Sequence, residues 1–458
     1  MSGSPKIVMI GGGSYQWVPK LMIDVVNTPS LVDAEIVLHD IDPAPLEPNA
    51  DFVRHLAALK RVGLTVSTTT DRRAALPGAD YVVVCISTGG FDSMRHDLEI
   101  PERYGIKQSV GDSVGPGGVM RAFRNVPVLV AIARDMEELC PDAWLMNITN
   151  PMTTLCRSVT RETTIKTVGL CHEIVGTQFF LSQLLGEHFR AFDFDIVGVN
   201  HLPIVTALRI NGENGFSQLS EILADRARLE REPISLPPGV DPEIVKMAAD
   251  FKKANLVDQH RVKLGIFERY GVLPAAGDRH LVEFFPNFLT EESQWGKRWG
   301  VELTTIADRQ RDAGSHQKEL ARLRALDDVP TMPSGEMVAP MIDSFLQGKE
   351  RALPLNLPNV DQAPDLPTDA VVESMCIADG SGLRGRVPVV APAPIGEWLR
   401  RVVAAQEATV EAAISGSRAK AVDAMLLDPL AGRIDFDRVE QMTDEMLAAT
   451  APWLPQFA

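Results

Sequence analysis

Cysteine is scarce and scattered in this chain of 458 residues: Cys85, Cys140, Cys156, Cys171 and Cys376 form an odd set with no Cys-x-x-Cys pair. That excludes a disulfide framework or a structural zinc clip and points to a reducing compartment, the cytoplasm. Long apolar runs are missing too; none reaches the roughly 20 residues that a membrane-spanning helix needs. Basic clusters are absent: 45 Lys and Arg are interspersed with 61 Asp and Glu, for a net charge of −16. Neutralising phosphates takes a basic face, so neither nucleic acid nor membrane is expected as a partner. The opening MSGSPKIVMIGGG turns into a strand at once, which leaves no room for a secretory signal. Internal repeats and low-complexity segments are also lacking. What remains is 45% hydrophobic and 23% charged, the composition of a soluble globular enzyme long enough for two or three merged domains.

The first two hundred residues alternate between β-branched apolar runs and helical patterns. Strands are expected at Lys6–Ile10, Glu35–Asp40, Leu64–Ser67, Tyr81–Ile86, Trp144–Ile148, Thr167–Leu170 and Phe194–Val199. Strands separated by helices imply right-handed crossovers and a parallel sheet, here a doubly wound α/β domain of the Rossmann type over residues 1–200. Residues 201–458 change texture and are expected to form an α+β domain that carries substrate and metal groups and oligomer contacts. Ile204–Ile210 followed by Asn211-Gly-Glu-Asn-Gly215 reads as a strand entering a hairpin turn. Helical patterns run from about Pro242 to Ala254, Gly296 to Leu326, Glu397 to Ile414 and Arg418 to Leu427, whereas proline-rich Pro354–Pro367 reads as an irregular crossing.

Gly11-Gly-Gly-Ser14 follows the first strand and opens a helix. Glycines there let a backbone approach a pyrophosphate, and a helix N-terminus supplies free N–H groups. Gln16 stands where the usual third glycine would be, so the same turn also fits a plain strand–helix connection. Asp40 ends the second strand, where a carboxylate can accept hydrogen bonds from an adenosine ribose and would repel the extra phosphate of NADP. Ser87, Thr88 and Gly89 end the fourth strand, where a loop would cross the cofactor. Together, Gly11, Gly13, Ser14, Asp40, Ser87, Thr88 and Gly89 make an NAD site.

Unusual residues gather at the same edge. Asn147 and Asn150 follow the fifth strand, Cys171-His172-Glu173 the sixth, and Asn200-His201 the seventh. Singly they have plain readings: a buried cysteine, a core histidine, an Asn-Pro turn. A thiolate and an imidazole from neighbouring strand ends would also make an incomplete coordination shell, with positions open to water and substrate. Gly277-Asp-Arg-His-Leu-Val-Glu283 sets ionisable groups among apolar neighbours, either as a loop of ion pairs or as the home of a carboxylate with a tunable pKa.

These stretches, with Asp112-Ser-Val-Gly-Pro-Gly-Gly-Val-Met-Arg121, resemble glycoside hydrolase family 4 over nearly the whole chain. The resemblance implies an NAD- and divalent-metal-dependent glycosidase, the metal usually manganese. It implies oxidation of the sugar at C3, loss of the C2 proton, elimination of the aglycone, addition of water and re-reduction, unlike the two-carboxylate glycosidases. Cys171 and His201 are then the metal ligands and Asp278 the C2 base. His172 and Asp112 are candidates for the leaving-group acid, and Asp112 alternatively orients a ligand. Asn147, Asn150 and Arg279 face substrate, with Arg279 alternatively orienting Asp278. A Cys-His-Glu tripeptide accompanies unphosphorylated α-glucosides or α-galactosides. Related members act on uronides, and Arg279, Arg121 and Arg124 could serve a substrate carboxylate. The small-molecule partner is thus a glycoside, and the assembly a homodimer or homotetramer. Two other readings are an NAD-dependent hydroxy-acid dehydrogenase, in which Cys171, His201 and the Gly277–His280 stretch have no role, and a non-catalytic NAD sensor.

Overall fold

The computed structural model describes residues 4–236, 251–330 and 332–458. Six strands form the expected parallel sheet: β1 (Lys6–Ile10), β2 (Glu35–His39), β3 (Thr65–Thr69), β4 (Tyr81–Val84), β5 (Trp144–Asn147) and β6 (Lys166–Gly169), in the order β3-β2-β1-β4-β5-β6. That is the dinucleotide-binding order, with the reversal of direction between β1 and β4. Both faces are covered. Ile7 and Met9 of β1 enter one core and Val8 and Ile10 the other, as the two-residue period of a strand requires.

The sheet does not stop at β6. Strands β7 (Phe192–Val199), β8 (Leu202–Ile210), β9 (Glu213–Asn214), β10 (Leu273–Pro274), β11 (Arg351–Pro358), β12 (Val371–Asp379) and β13 (Gly382–Gly385) continue it with antiparallel pairings. Here the expectation for Phe194–Val199 fails. β7 is not the next parallel strand, because β11 and β12 lie between it and β6. Gly169, Asn356, Glu373 and Gly198 are ladder partners in one row across the four strands. No crossover helix signals this arrangement, since β11 and β12 arrive from far along the chain.

Proline misled the reading of the Pro354–Pro367 segment. Its first part belongs to β11, which meets β6 only at the Asn356–Gly169 pair, so most of that edge carries no ladder bonds for proline to break. The Gly296–Leu326 pattern becomes a helix only from Ile306 to Arg324, because Gly300 adopts φ +77° and Thr305 caps the N-terminus through Asp308 N–H. The expected helix from Pro242 falls mostly outside the described residues; Ala254 lies in a short helix, Lys253–Asp258. The closing helices are Ala393–Ser415 and Arg418–Leu427. No described helix is long and apolar enough to cross a membrane.

Candidate active site

At the end of β1, Gly11 takes φ +95°, and a Cβ there would lie 1.9 Å from the carbonyl oxygen of Cys85. Only glycine fits. A Cβ on Gly13 would meet the Asp40 carboxylate at 2.7 Å. Asp40 accepts from Gly13 N–H at 2.9 Å and from Asp42 N–H at 3.2 Å, which fixes it beside the turn with acceptor capacity to spare. The next helix, Trp17–Val26, starts three residues after Ser14, whose Oγ accepts from Trp17 N–H. A side-chain-free turn, a carboxylate at the end of β2 and a helix N-terminus fit an adenine dinucleotide.

A second group assembles beside it. Asp112, His201 and His280 each present a ligand atom, all within 4.8 Å of one another. The rings of His201 and His280 stack with centroids 3.6 Å apart, and Ser113 Oγ bridges His201 Nδ1 at 2.8 Å and the Asp112 carboxylate at 2.7 Å. His201 is there because β7 and β8 join through the two-residue turn Asn200-His201. A Cβ on Gly198 would meet the Leu202 carbonyl oxygen at 2.1 Å, and His201 itself sits at φ 64°. Burial, then the facing His280, depresses His201 to about 3. Burial likewise takes His280 to about 4. Both imidazoles are therefore neutral at pH 7 with lone pairs to offer. Burial pushes Asp112 up, but His280, His201, Arg121 and the Ser113 hydrogen bond outweigh it and hold the carboxyl at about 2. Neutral imidazoles beside an ionised carboxylate suit a divalent cation.

Cys171, the expected partner of His201, is outside that trio. It is buried against Met152, Cys156 and Val371, and burial followed by the charges of Glu373 and Glu173 raises its thiol well above the usual range. Nearby, Asn200, Asn356 and Glu373 are buried together, and burial raises the Glu373 carboxyl to about 8. The two expected ligands do not come from neighbouring strands; β11 and β12 separate them.

Glu173 explains why two distant stretches belong together. One of its oxygens accepts from Gly277 N–H at 2.5 Å and the other lies 3.8 Å from His280 Nε2, so it fastens the Gly277–His280 segment to the start of the helix Glu173–Leu185. Asp278 accepts from the N–H groups of Val262 at 2.7 Å and Lys263 at 3.0 Å, at the start of the helix Arg261–Tyr270. Burial raises its carboxyl to about 6 against the charge of Lys263 and those two bonds. His172 pairs with the buried Glu336 through Nδ1 at 2.9 Å, which raises its pKa in spite of burial.

Other expected residues are engaged elsewhere. Asn147 has no exposed surface, and its amide bonds to the backbone of Thr149 on both sides, so it does not face a substrate. Arg279 bonds to Thr304 and the carbonyl of Ser109 rather than to Asp278. Arg124 is locked to Asp97 in a buried pair and cannot serve a substrate carboxylate. A carboxyl held at about 2 has no proton to give at neutral pH, which removes Asp112 as an acid and leaves its ligand-side role. Asn150 keeps a buried Oδ1 without a partner. His280 and Glu173 went unassigned in the sequence although both stand in recognisable motifs; nothing local distinguishes a ligand from a neighbour.

The chain matches a family model described as family 4 glycosyl hydrolase over residues 6–187, and the C-terminal domain of the same family over residues 196–431. An alpha-galacturonidase of Thermoanaerobacterium saccharolyticum is 33% identical over 98% of this chain and 96% of its own. An alpha-galactosidase of Bacillus subtilis is 28% identical over 99% of each. The solved structure of a 6-phospho-alpha-glucosidase from gut microorganisms, in complex with NAD and Mn2+, is alike in fold, with a TM-score of 0.79 at 19% identity over 99% of this chain and 100% of the other. Matched across both of its domains, the chain belongs to the family 4 glycosyl hydrolases.

Proposed function

We propose that this glycoside hydrolase acts on an unphosphorylated α-glycoside and works with NAD and a divalent metal, manganese being the metal bound by its structural relative. The observation that carries the reading is the joining of Cys171-His172-Glu173 to Gly277–His280 by Glu173, beside the trio of Asp112, His201 and His280. A hydroxy-acid dehydrogenase has no use for this constellation.

When bound, NAD supplies reversible oxidation at a sugar carbon, and the metal supplies positive charge for sugar oxygens. Gly11, Gly13, Ser14 and Asp40 would hold the cofactor, with the Ser87–Gly89 loop above it. Asp112, His201 and His280 would hold the metal, and Cys171, outside that trio, would join them only with its thiol deprotonated and brought closer. Asp278, tuned to about 6, is mostly ionised at pH 7 yet basic enough to take the C2 proton. The hydrogen bond to Glu336 favours the charged form of His172, which would make it the donor to the departing oxygen. Asn150, with its free Oδ1, receives a sugar hydroxyl.

A uronide is a second reading, favoured by Arg309. Its guanidinium has no hydrogen-bonded or ionic partner among the described residues, its Nε is buried, and its charge is felt at His280 and Arg121. Chromogenic p-nitrophenyl α-galactoside, α-galacturonide and α-galactoside 6-phosphate, assayed with and without NAD, Mn2+ and a thiol reductant, test both readings. Release from an unphosphorylated substrate only with NAD and metal present is expected. Equal release without them, or from the phosphorylated sugar alone, would overturn the proposal.

A further inference from the structure

The helix Gly115–Leu139 places Arg121, Arg124 and Asn125 on one face, at i, i+3 and i+4. This face meets two loops at once. Asn125 Oδ1 accepts from Thr88 N–H at 3.1 Å, in the loop after β4, while its Nδ2 donates to the Asn150 carbonyl at 3.4 Å, in the loop after β5. The amide's orientation is forced, since an N–H donor and a carbonyl acceptor sit on its two sides. Arg121 repeats the bridge: Nε donates to the Asn150 carbonyl at 2.9 Å and Nη1 to Ser87 Oγ at 3.1 Å. Arg124 Nε donates to the Thr88 carbonyl at 3.3 Å while its other nitrogens bond to Asp97. Asn125 and Arg124 are wholly buried. At the roots of the same loops, Thr149 Oγ1 accepts from Ile86 N–H at 2.9 Å and donates to the Val84 carbonyl, so the helix side chains tie the tips of loops already joined at the base.

We propose that Asn125 is a positioning residue that, with Arg121, makes the cofactor loop and the sugar loop one unit, so that NAD binding orders the loop presenting Asn150. This rests on the cofactor reading given above. Asparagine suits the position because one planar group carries both the acceptor that Thr88 needs and the donor that the Asn150 carbonyl needs. Aspartate would keep the first and lose the second, and the flanking Arg121 and Arg124 would compensate its charge. Neither bond touches a reacting atom, and a merely structural role would not make the state of one loop depend on the ligand at the other.

Hydrogen exchange by mass spectrometry on the full-length protein, with and without NAD, reads this without any sugar. In the wild type, NAD is expected to slow exchange both in peptides over 86–90 and in peptides over 148–155. In Asn125→Asp, slowing is expected to persist over 86–90 and to weaken over 148–155. Asn125→Ala, which removes both bonds, should weaken the effect at both loops. Equal protection of 148–155 in wild type and Asn125→Asp overturns the proposal, as does wild-type protection confined to 86–90. Protection at neither loop would defeat the cofactor reading itself, and this inference with it.

Discussion

His280 and Cys171 show how chemistry depends on a single side chain's neighbours. Both stand in recognisable stretches, yet only His280 is brought within ligand distance of Asp112 and His201. His280→Ala is expected to weaken Mn2+ binding by at least about tenfold in calorimetric titration of the full chain, the order seen when groups around a metal are lost. Unchanged affinity would remove it from the metal site. Asp278→Asn should cut turnover by roughly 10²- to 10⁴-fold with NAD affinity nearly unaltered. A parallel loss of NAD affinity would instead mark Asp278 as the cap of the helix Arg261–Tyr270. Glu283, on the same short helix as Asp278 and His280, offers a pH test read by stability. Its Oε1 accepts from Val110 and Gly111 N–H, its Oε2 has no partner, and burial raises it to about 8. The fold thus favours the protonated acid, and stability present below the usual carboxyl pKa is lost progressively as pH rises through about 8. Glu283→Gln keeps the neutral form, so its melting temperature relative to wild type should improve between pH 6 and pH 9. A pH-independent difference would refute this.

The elements that present these residues were legible to different degrees. The glycine turn could be read because its cause is local: Gly11 takes a backbone conformation closed to other residues, against the Cys85 carbonyl. Gly11→Ala should therefore abolish NAD binding, checked by fluorescence titration, with soluble yield reduced as well. Retained affinity in a folded variant would exclude the turn from the cofactor site. The hairpin at Asn200-His201 could be located but not its place in the sheet, because β7 pairs with β12, a strand more than 150 residues away along the chain. β11 escaped notice for the opposite reason: its prolines argue for a loop, and only its lightly paired edge tolerates them.

Across the whole molecule, one sheet joins the cofactor turn, the β7–β8 hairpin and the late strands β11 and β12. That continuity lets Glu173, just past the end of β6, fasten the Gly277–His280 segment in which Asp278 stands. An enzyme arranged in this way opens the C2–H bond in every cycle, and displacement by two carboxylates does not. Hydrolysis in heavy water should leave deuterium at C2 of the released sugar, read by mass spectrometry or NMR. Product without C2 deuterium, from an active preparation, would sink the mechanism.

The sequence was enough to establish the parallel sheet, its glycine turn, the edge at which chemistry gathers and the family resemblance, because strand period, turn conformation and motif composition are local properties. Tertiary structure alone decided which residues meet. Glu173 fastens Gly277, His280 joins His201, Arg124 is drawn off to Asp97, and Asn147 closes on its own loop. Each of those outcomes is a competition among partners remote in sequence, settled by burial and distance, and no periodicity within the chain records it.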